Sequence, residues 1–179
     1  MLPLSSSRLI LRDFTAKDFE AVHKYTSSPE VTKHIPWGPF TEEETKISIQ
    51  MKIDGQIKHP RKNYELVVIL KDQLTLIGEC YLSSRNTQPR EVEVGYVLHN
   101  DYWGLGIATE IVSTLVRFGF EELKLHRIFG TCGPENPASS RVLEKNGFQL
   151  EGHFREHKLV RGKWRDSLYY AILSHDWSR

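Results

Sequence analysis

Cysteine is scarce in this chain: two in 179 residues, Cys80 and Cys132, far apart and in no C-x-x-C arrangement. A disulfide framework is excluded on that ground, and a reducing compartment is the expectation. Cys132 reads as a small core residue and not as a nucleophile. Net charge is also scarce. Lys and Arg number 24 against 23 Asp and Glu, a balance of +1. Such a chain is not built to neutralise a phosphate backbone. Long apolar runs are missing: nowhere do about 18 apolar residues follow one another, as a membrane-crossing helix requires. The stretch before Arg8 holds no apolar run of signal-peptide length. Repeats, low-complexity tracts and linkers are absent too.

What is present fits a globular protein, with 39% apolar and 26% charged residues. One cytoplasmic domain over residues 1–179 is expected, long enough to bury a full core. Residues 8–14 alternate apolar and polar, as a half-buried strand does. Thr15 and Asp18 mark the start of a helix over about 16–25, which Ser28-Pro29 is expected to stop. A loop with large aromatics covers residues 34–40. Thr41 and Glu44, three apart, form a capping box for a helix towards Lys58. Strands are expected at 64–71, 74–83 and 91–98, with a polar stretch at 84–90 between the last two. A long helix follows to about Leu123, then a strand at 127–132. A helix over 136–145 ends at Asn146-Gly147. Two closing strands flank a hairpin turn at Arg161-Gly162. Three strands in succession before the longest helix indicate an α+β fold, not a strict βαβα alternation.

The informative segment is Glu91-Val-Glu-Val-Gly-Tyr-Val-Leu98 followed by Trp103-Gly-Leu-Gly-Ile-Ala-Thr-Glu110. A strand leads through a glycine-rich turn into a helix. Gly104 and Gly106 carry no Cβ, so backbone N–H groups there can lie against an anion. The helix start adds unpaired N–H groups and the positive end of its dipole. Together they make a pyrophosphate cradle. A Walker A loop is excluded, because no Gly-Lys-Ser/Thr follows. The dinucleotide fingerprint is excluded as well, because the preceding strand does not open a βαβ unit.

This strand-turn-helix resembles motif A of the GNAT (Gcn5-related N-acetyltransferase) superfamily, with Trp103 where Gln or Arg is usual. Tyr102 to Glu110 is similar to the form found in the RimJ/RimL-like ribosomal-protein N-terminal acetyltransferases. Asn136-Pro-Ala-Ser139 and Glu144-Lys-Asn-Gly-Phe148 resemble motif B. Arg8-Leu-Ile-Leu-Arg12 resembles the opening strand. Glu151-Gly152, Gly162 to Asp166 and Asp176-Trp177 resemble the subgroup's tail.

The resemblance implies a GNAT-like domain: a central, mixed but mostly antiparallel sheet of about seven strands, flanked by about four helices. It implies transfer of acetyl from acetyl-CoA to a primary amine by direct attack in a ternary complex, with no metal. A protein N-terminal α-amino group is the leading acceptor. The alternatives are a small amine (polyamine, antibiotic or amino acid) or a CoA-binding sensor without catalysis. A monomer or a homodimer fits, and neither nucleic acid nor membrane is an expected partner.

The resemblance also distributes roles. Backbone of Tyr96, Val97 and Leu98 would pair with pantetheine where the 91–98 and 127–132 strands splay. The turn from Trp103 and Gly104 would lead into amides of Leu105, Gly106, Ile107, Ala108 and Thr109 that hold the pyrophosphate. Asn136 would bind the pantetheine arm, and equally reads as a helix N-cap. Ser139 would face the CoA sulfur, or serve only as a cap. Leu143 stands where many relatives carry a Tyr general acid. Glu93 is the first choice for the base, ahead of Glu91, Glu79 and Glu65, with a structural ion pair as its other reading. His34, Trp37 and Phe40 are candidates for acceptor binding, although Trp37 could equally plug the core. His153 and His157, four apart on a strand with no Cys partner, are not read as metal ligands. The basic run from Lys158 to Arg165 reads as a solvated face, with contact to a ribosome or to the CoA 3′-phosphate as the lesser alternative.

Overall fold

The structure is a computed structural model, describing residues 2–84 and 90–177. Most of the polar stretch expected at 84–90 lies outside the described residues.

One eight-stranded sheet runs through the molecule in the order β1-β2-β3-β4-β5-β6-β8-β7. Its strands are β1 (Leu4–Ser5), β2 (Leu9–Asp13), β3 (Asn63–Leu70), β4 (Thr75–Ser83), β5 (Glu91–Leu98), β6 (Arg127–Cys132), β7 (Gln149–Val160) and β8 (Lys163–Leu173). The described residues also form five helices: α1 (Phe19–Thr26), α2 (Pro29–Thr32), α3 (Glu42–Gln56), α4 (Ile107–Glu121) and α5 (Pro137–Lys145). Every strand pair is antiparallel except β5 with β6. No helix among the described residues is long and apolar enough to cross a membrane.

The expected strands and longer helices are present. The eighth strand, β1, holds only two residues, whose register is set by Leu4 opposite Leu11. Two residues are too few to show any alternation. The fifth helix, α2, begins where a stop was expected. Ser28 accepts a hydrogen bond from Val31 N–H and Pro29 occupies the first turn, so Ser-Pro starts a helix here. The 16–25 helix is a short 3₁₀ turn at Ala16–Asp18 running into α1. Thr41 and Glu44 form the expected capping box of α3. Helix α5 closes at Gly147, whose φ of +82° brings Phe148 N–H onto Leu143 C=O. Arg161 and Gly162 both have positive φ, which matches the twist of the β7–β8 hairpin.

The sheet separates two cores. Leu9 and Leu11, Val92 and Val94, and the apolar stripe of α4 from Ile107 to Phe120 fill one side. Phe14, Val22, Tyr25, Ile49, Val67 and Val97 fill the other, beneath α1 and α3. Strand β5 therefore contributes Val92 and Val94 to one core and Val97 to the other. Glu93 and Gly95 share the α1–α3 face with Val97.

Candidate active site

Strands β5 and β6 pair only at Glu91–Arg127, Val92–Ile128 and Glu93–Phe129. Beyond Glu93 the two strands separate, and the remainder of each borders a gap. His99 N–H donates to Ile77 C=O on β4. By antiparallel alternation, the backbone groups of Val97 also face β4, while those of Tyr96 and Leu98 face the gap and the Val94 N–H faces β6 where the ladder ends. The three residues expected to pair with pantetheine thus divide. Tyr96 offers both backbone groups and Val97 offers neither. The Leu98 carbonyl accepts from the Trp103 indole N–H at 3.0 Å.

On the α4 side the gap opens into a cavity of about 550 Å³. Tyr96, Gly104, Gly106, Thr109, Asn136 and Ser139 are among its walls, so both motifs of the sequence meet there. Gly104 and Gly106 have φ of +76° and +74°. Only glycine takes up that conformation at little cost, and it turns the chain into α4 with bare amides at the helix start. Helices α3 and α5 have side-chain caps, from Thr41 and Asn136, but α4 has Gly106 at its N-cap and no capping side chain. Its first-turn N–H groups are left for an anion. A Cβ on Gly104 would meet nothing within 4 Å, so the turn is open on that side. Leu105 stands between the two glycines. It is exposed, and its carbonyl accepts from Arg8 Nη1 at 3.0 Å. The cleft therefore fits the pantetheine and pyrophosphate of acetyl-CoA.

A second cavity, of about 630 Å³, lies on the α1–α3 side. His34, Trp37, Phe40, Tyr81 and Glu93 are among its walls. Gly95 is required here, because a Cβ would lie 2.3 Å from the Tyr81 ring, which crosses β5 at that point. The two cavities share Tyr96, Asn136 and Ser139, and they share His34 from the loop above. His34 Nδ1 is buried with no hydrogen-bond partner among the described residues.

The four candidate bases separate. Glu91 pairs with Arg127 at 3.2 Å and stands outside the cavity lining. Glu79 is held by Lys52 at 2.6 Å and by the Tyr25 hydroxyl at 2.9 Å. Glu65, Glu79 and Glu93 all line the cavity, and Glu93 stands on β5, the strand that carries Tyr96. Glu93 is 7% exposed and accepts from the Thr131 hydroxyl at 3.3 Å. Asn136 does cap α5, accepting from Ser139 N–H at 3.3 Å, while its residue also lines both cavities. Ser139 Oγ lies 3.3 Å from the Tyr96 hydroxyl. Leu143 is buried and packs on Gly130. Burial pushes the Cys132 thiol up, and its sulfur lies 3.3 Å from Ser140 Oγ, as suits a packing residue.

Trp37 serves two ends, packing on the α1–α3 core while stacking on Phe40 at 4.9 Å. The basic run is largely exposed, as a solvated face is, yet two of its arginines and a lysine reach back onto the fold. Arg161 Nη2 donates to the carbonyls of Thr32, Trp37 and Gly38, at 3.0, 3.2 and 2.8 Å. Arg165 donates to Lys33 C=O, and Lys158 to the Thr131 hydroxyl. The β7–β8 hairpin therefore clamps the loop that roofs the second cavity. His153 pairs with Asp166 at 2.7 Å, and His157 packs on the Phe154 ring. Sequence reading missed the Arg161 clamp and the Lys52–Glu79–Tyr25 cluster. Both join side chains to distant backbone or strands, and no local pattern encodes such a reach.

Comparison with known proteins agrees with this geometry. The family model described as Acetyltransferase (GNAT) domain matches residues 8–149. A Bacillus subtilis protein named uncharacterized N-acetyltransferase YnaD is 38% identical over 176 residues, covering 98% of this chain and 99% of that relative. A spermidine N(1)-acetyltransferase of Vibrio cholerae is 26% identical over 172 residues, covering 94% of each chain. The crystal structure of a GNAT-family acetyltransferase from Bacillus anthracis superposes with a TM-score of 0.85 at 38% identity, covering 96% of this chain and 98% of that one. With a parted β5–β6 pair, an uncapped glycine turn and a matching family model, the chain belongs to the GNAT N-acetyltransferases.

Proposed function

We propose that this N-acetyltransferase moves acetyl from acetyl-CoA to a primary amine in one ternary complex, with a protein N-terminal α-amino group as leading acceptor. The observation that carries this reading is the junction of the two cavities at Tyr96, Asn136 and Ser139. Acetyl-CoA brings an activated acyl group on a good leaving group. The first-turn amides of α4 hold its pyrophosphate, and the Tyr96 backbone and Asn136 hold the pantetheine arm. The amine enters from the other side, beneath His34, Trp37 and Phe40.

An amine attacks only as its neutral form, so a base must take its proton. Glu93 fills that role from the buried α1–α3 face, directly or through water. The N–H group of Tyr96 faces the gap, where a developing oxyanion needs a donor. Ser139 stands beside the leaving sulfur.

The roof supports a slim acceptor end. Loop 33–40 is tied down by Arg161 and Arg165, so the cavity suits a free chain terminus more than a broad surface. A small amine is the second reading, favoured by the carboxylates of Glu65, Glu93, Glu135 and Asp166 in the cavity walls and by the likeness to a spermidine acetyltransferase. A panel of peptides with free N-termini, polyamines and aminoglycosides, with CoA release followed by a thiol reagent, tests both. Turnover confined to peptides supports the α-amino reading, turnover confined to polyamines replaces it, and tight CoA binding without turnover favours a sensor.

A further inference from the structure

A proton must reach the leaving sulfur, and α5 presents Leu143 where a proton-donating side chain could stand. We propose that the Tyr96 hydroxyl supplies this proton through Ser139, making Tyr96 a catalytic residue in the proton path and not only a backbone contact. The inference rests on the acetyl-transfer reading above.

The two hydroxyls approach from opposite walls of the gap. Tyr96 projects from β5 towards α5, and its oxygen lies 3.3 Å from Ser139 Oγ. Both residues line the cofactor cavity and the acceptor cavity, so the pair sits where acyl transfer must occur. Ser139 is fixed by its place in the first turn of α5, where its N–H donates to the Asn136 side chain. When the phenol donates to Ser139 Oγ, the serine hydrogen is free to turn into the gap. Burial pushes the Tyr96 phenol up, and the hydrogen bond to Ser139 offsets this only in part. The donor is therefore loaded at neutral pH. The Tyr170 hydroxyl is engaged elsewhere, donating to Glu144 at 3.0 Å.

The step balances. The amine lone pair forms the new C–N bond, and the C–S bond breaks with its electron pair on sulfur. Ser139 gives its hydroxyl proton to sulfur and takes the Tyr96 proton in the same shift. The phenolate regains a proton from solvent as product leaves. The ammonium loses two protons through Glu93 to solvent, one before attack and one from the nitrogen of the tetrahedral adduct; with one taken up by the phenolate, one proton is released per acetyl transferred.

The test separates this proposal from the acetyl-transfer reading by using free CoA, which needs no acceptor. The bound thiol is titrated by thiolate absorbance in the wild type, Tyr96→Phe, Ser139→Ala and Ser139→Thr. A hydrogen-bond path to sulfur favours the thiolate. In Tyr96→Phe the thiolate fraction at neutral pH should fall about tenfold while the Kd for CoA stays within about twofold. Ser139→Ala should match it, and Ser139→Thr should restore it. With a working acceptor, kcat should fall on the order of 10²-fold in Tyr96→Phe. The double variant should be no worse than the poorer single one, since the groups act in series. An unchanged thiolate fraction in Tyr96→Phe overturns the relay, even where activity falls. A wild type that binds CoA but acetylates nothing leaves the titration to decide the relay alone. Failure to bind CoA removes both readings.

Discussion

Glu110 and Arg8 are 102 residues apart in the chain, yet Glu110 Oε2 lies 2.7 Å from Arg8 Nε. The same carboxylate accepts from Arg8 N–H at 2.8 Å and from the Ser6 hydroxyl at 2.7 Å. Arg8 Nη1 in turn holds the Leu105 carbonyl. The turn between β1 and β2 thus braces the glycine turn that opens α4. Glu110 closes the Tyr-Trp-Gly-x-Gly-x-Ala-Thr-Glu pattern, and this contact gives its carboxylate a physical role.

Glu110→Gln should lower stability by about 1–2 kcal/mol, because the charge-assisted bonds become neutral ones and Arg8 is partly exposed. Burial pushes the Glu110 carboxyl up, but the hydrogen bonds from Arg8 and Ser6 outweigh it and hold it below the usual range. A depressed folded value means the contribution is fully present above the unfolded glutamate value, about 4.3, and is lost as pH falls through the folded one. Melting curves of wild type and variant should differ at neutral pH and converge in acid. A constant difference across that range would reject the linkage. The KM for acetyl-CoA should rise in Glu110→Gln with kcat less affected.

Glu93→Gln keeps the shape of a buried residue and removes the base. The expected result is a fall in kcat on the order of 10²–10⁴-fold, with acetyl-CoA affinity unchanged by calorimetry. A variant with near wild-type turnover would return Glu93 to its structural reading, held by Thr131. Glu65→Gln would then be the next measurement, because Glu65 lines the same cavity.

Lys52 and Glu79 form a pair whose side chains are 13% and 10% exposed, and Tyr25 donates to the same carboxylate oxygen. Lys52→Met leaves that carboxylate short of its cation, a change that costs about 3–5 kcal/mol for a buried pair. Lys52→Met with Glu79→Gln should recover part of the loss. Urea denaturation of both variants checks this, and a double variant less stable than the single one would refute it.

The elements legible in sequence were those whose signal is local. The capping box at Thr41, the Arg161-Gly162 turn and the Gly104/Gly106 pair are each set by a few neighbouring residues, and each stands where expected. Ser28-Pro29 was legible as punctuation but ambiguous in direction, since the same dipeptide can end one helix and cap the next. Alternation along β5 placed Glu93 on the face of Val97, but which of Glu65, Glu79, Glu91 and Glu93 would be neutralised depended on Lys52 and Arg127 arriving from elsewhere. Side-chain-to-backbone contacts across the fold were not legible at all. Arg161 reads as a charged turn residue until the chain is folded.

Arg161 is 123 residues from Gly38, and one of its guanidinium nitrogens meets three carbonyls of the 32–38 segment. Removing it leaves those carbonyls without a charged donor and frees the loop that carries His34 and Trp37. The acetyl-CoA cleft is built mainly from β5, α4 and α5, which Arg161 does not touch through these bonds, with His34 and Ile35 of the loop at its edge. Arg161→Ala should therefore raise the acceptor KM by about tenfold, the scale of losing one or two hydrogen bonds to a charged group. The acetyl-CoA Kd should change by less than the acceptor KM. Arg161→Lys should rescue poorly, because an ammonium lacks the planar fork of the guanidinium. Initial-rate kinetics with each substrate varied in turn will show this split. A parallel rise in both constants would mean that the hairpin braces the whole fold and not the acceptor loop.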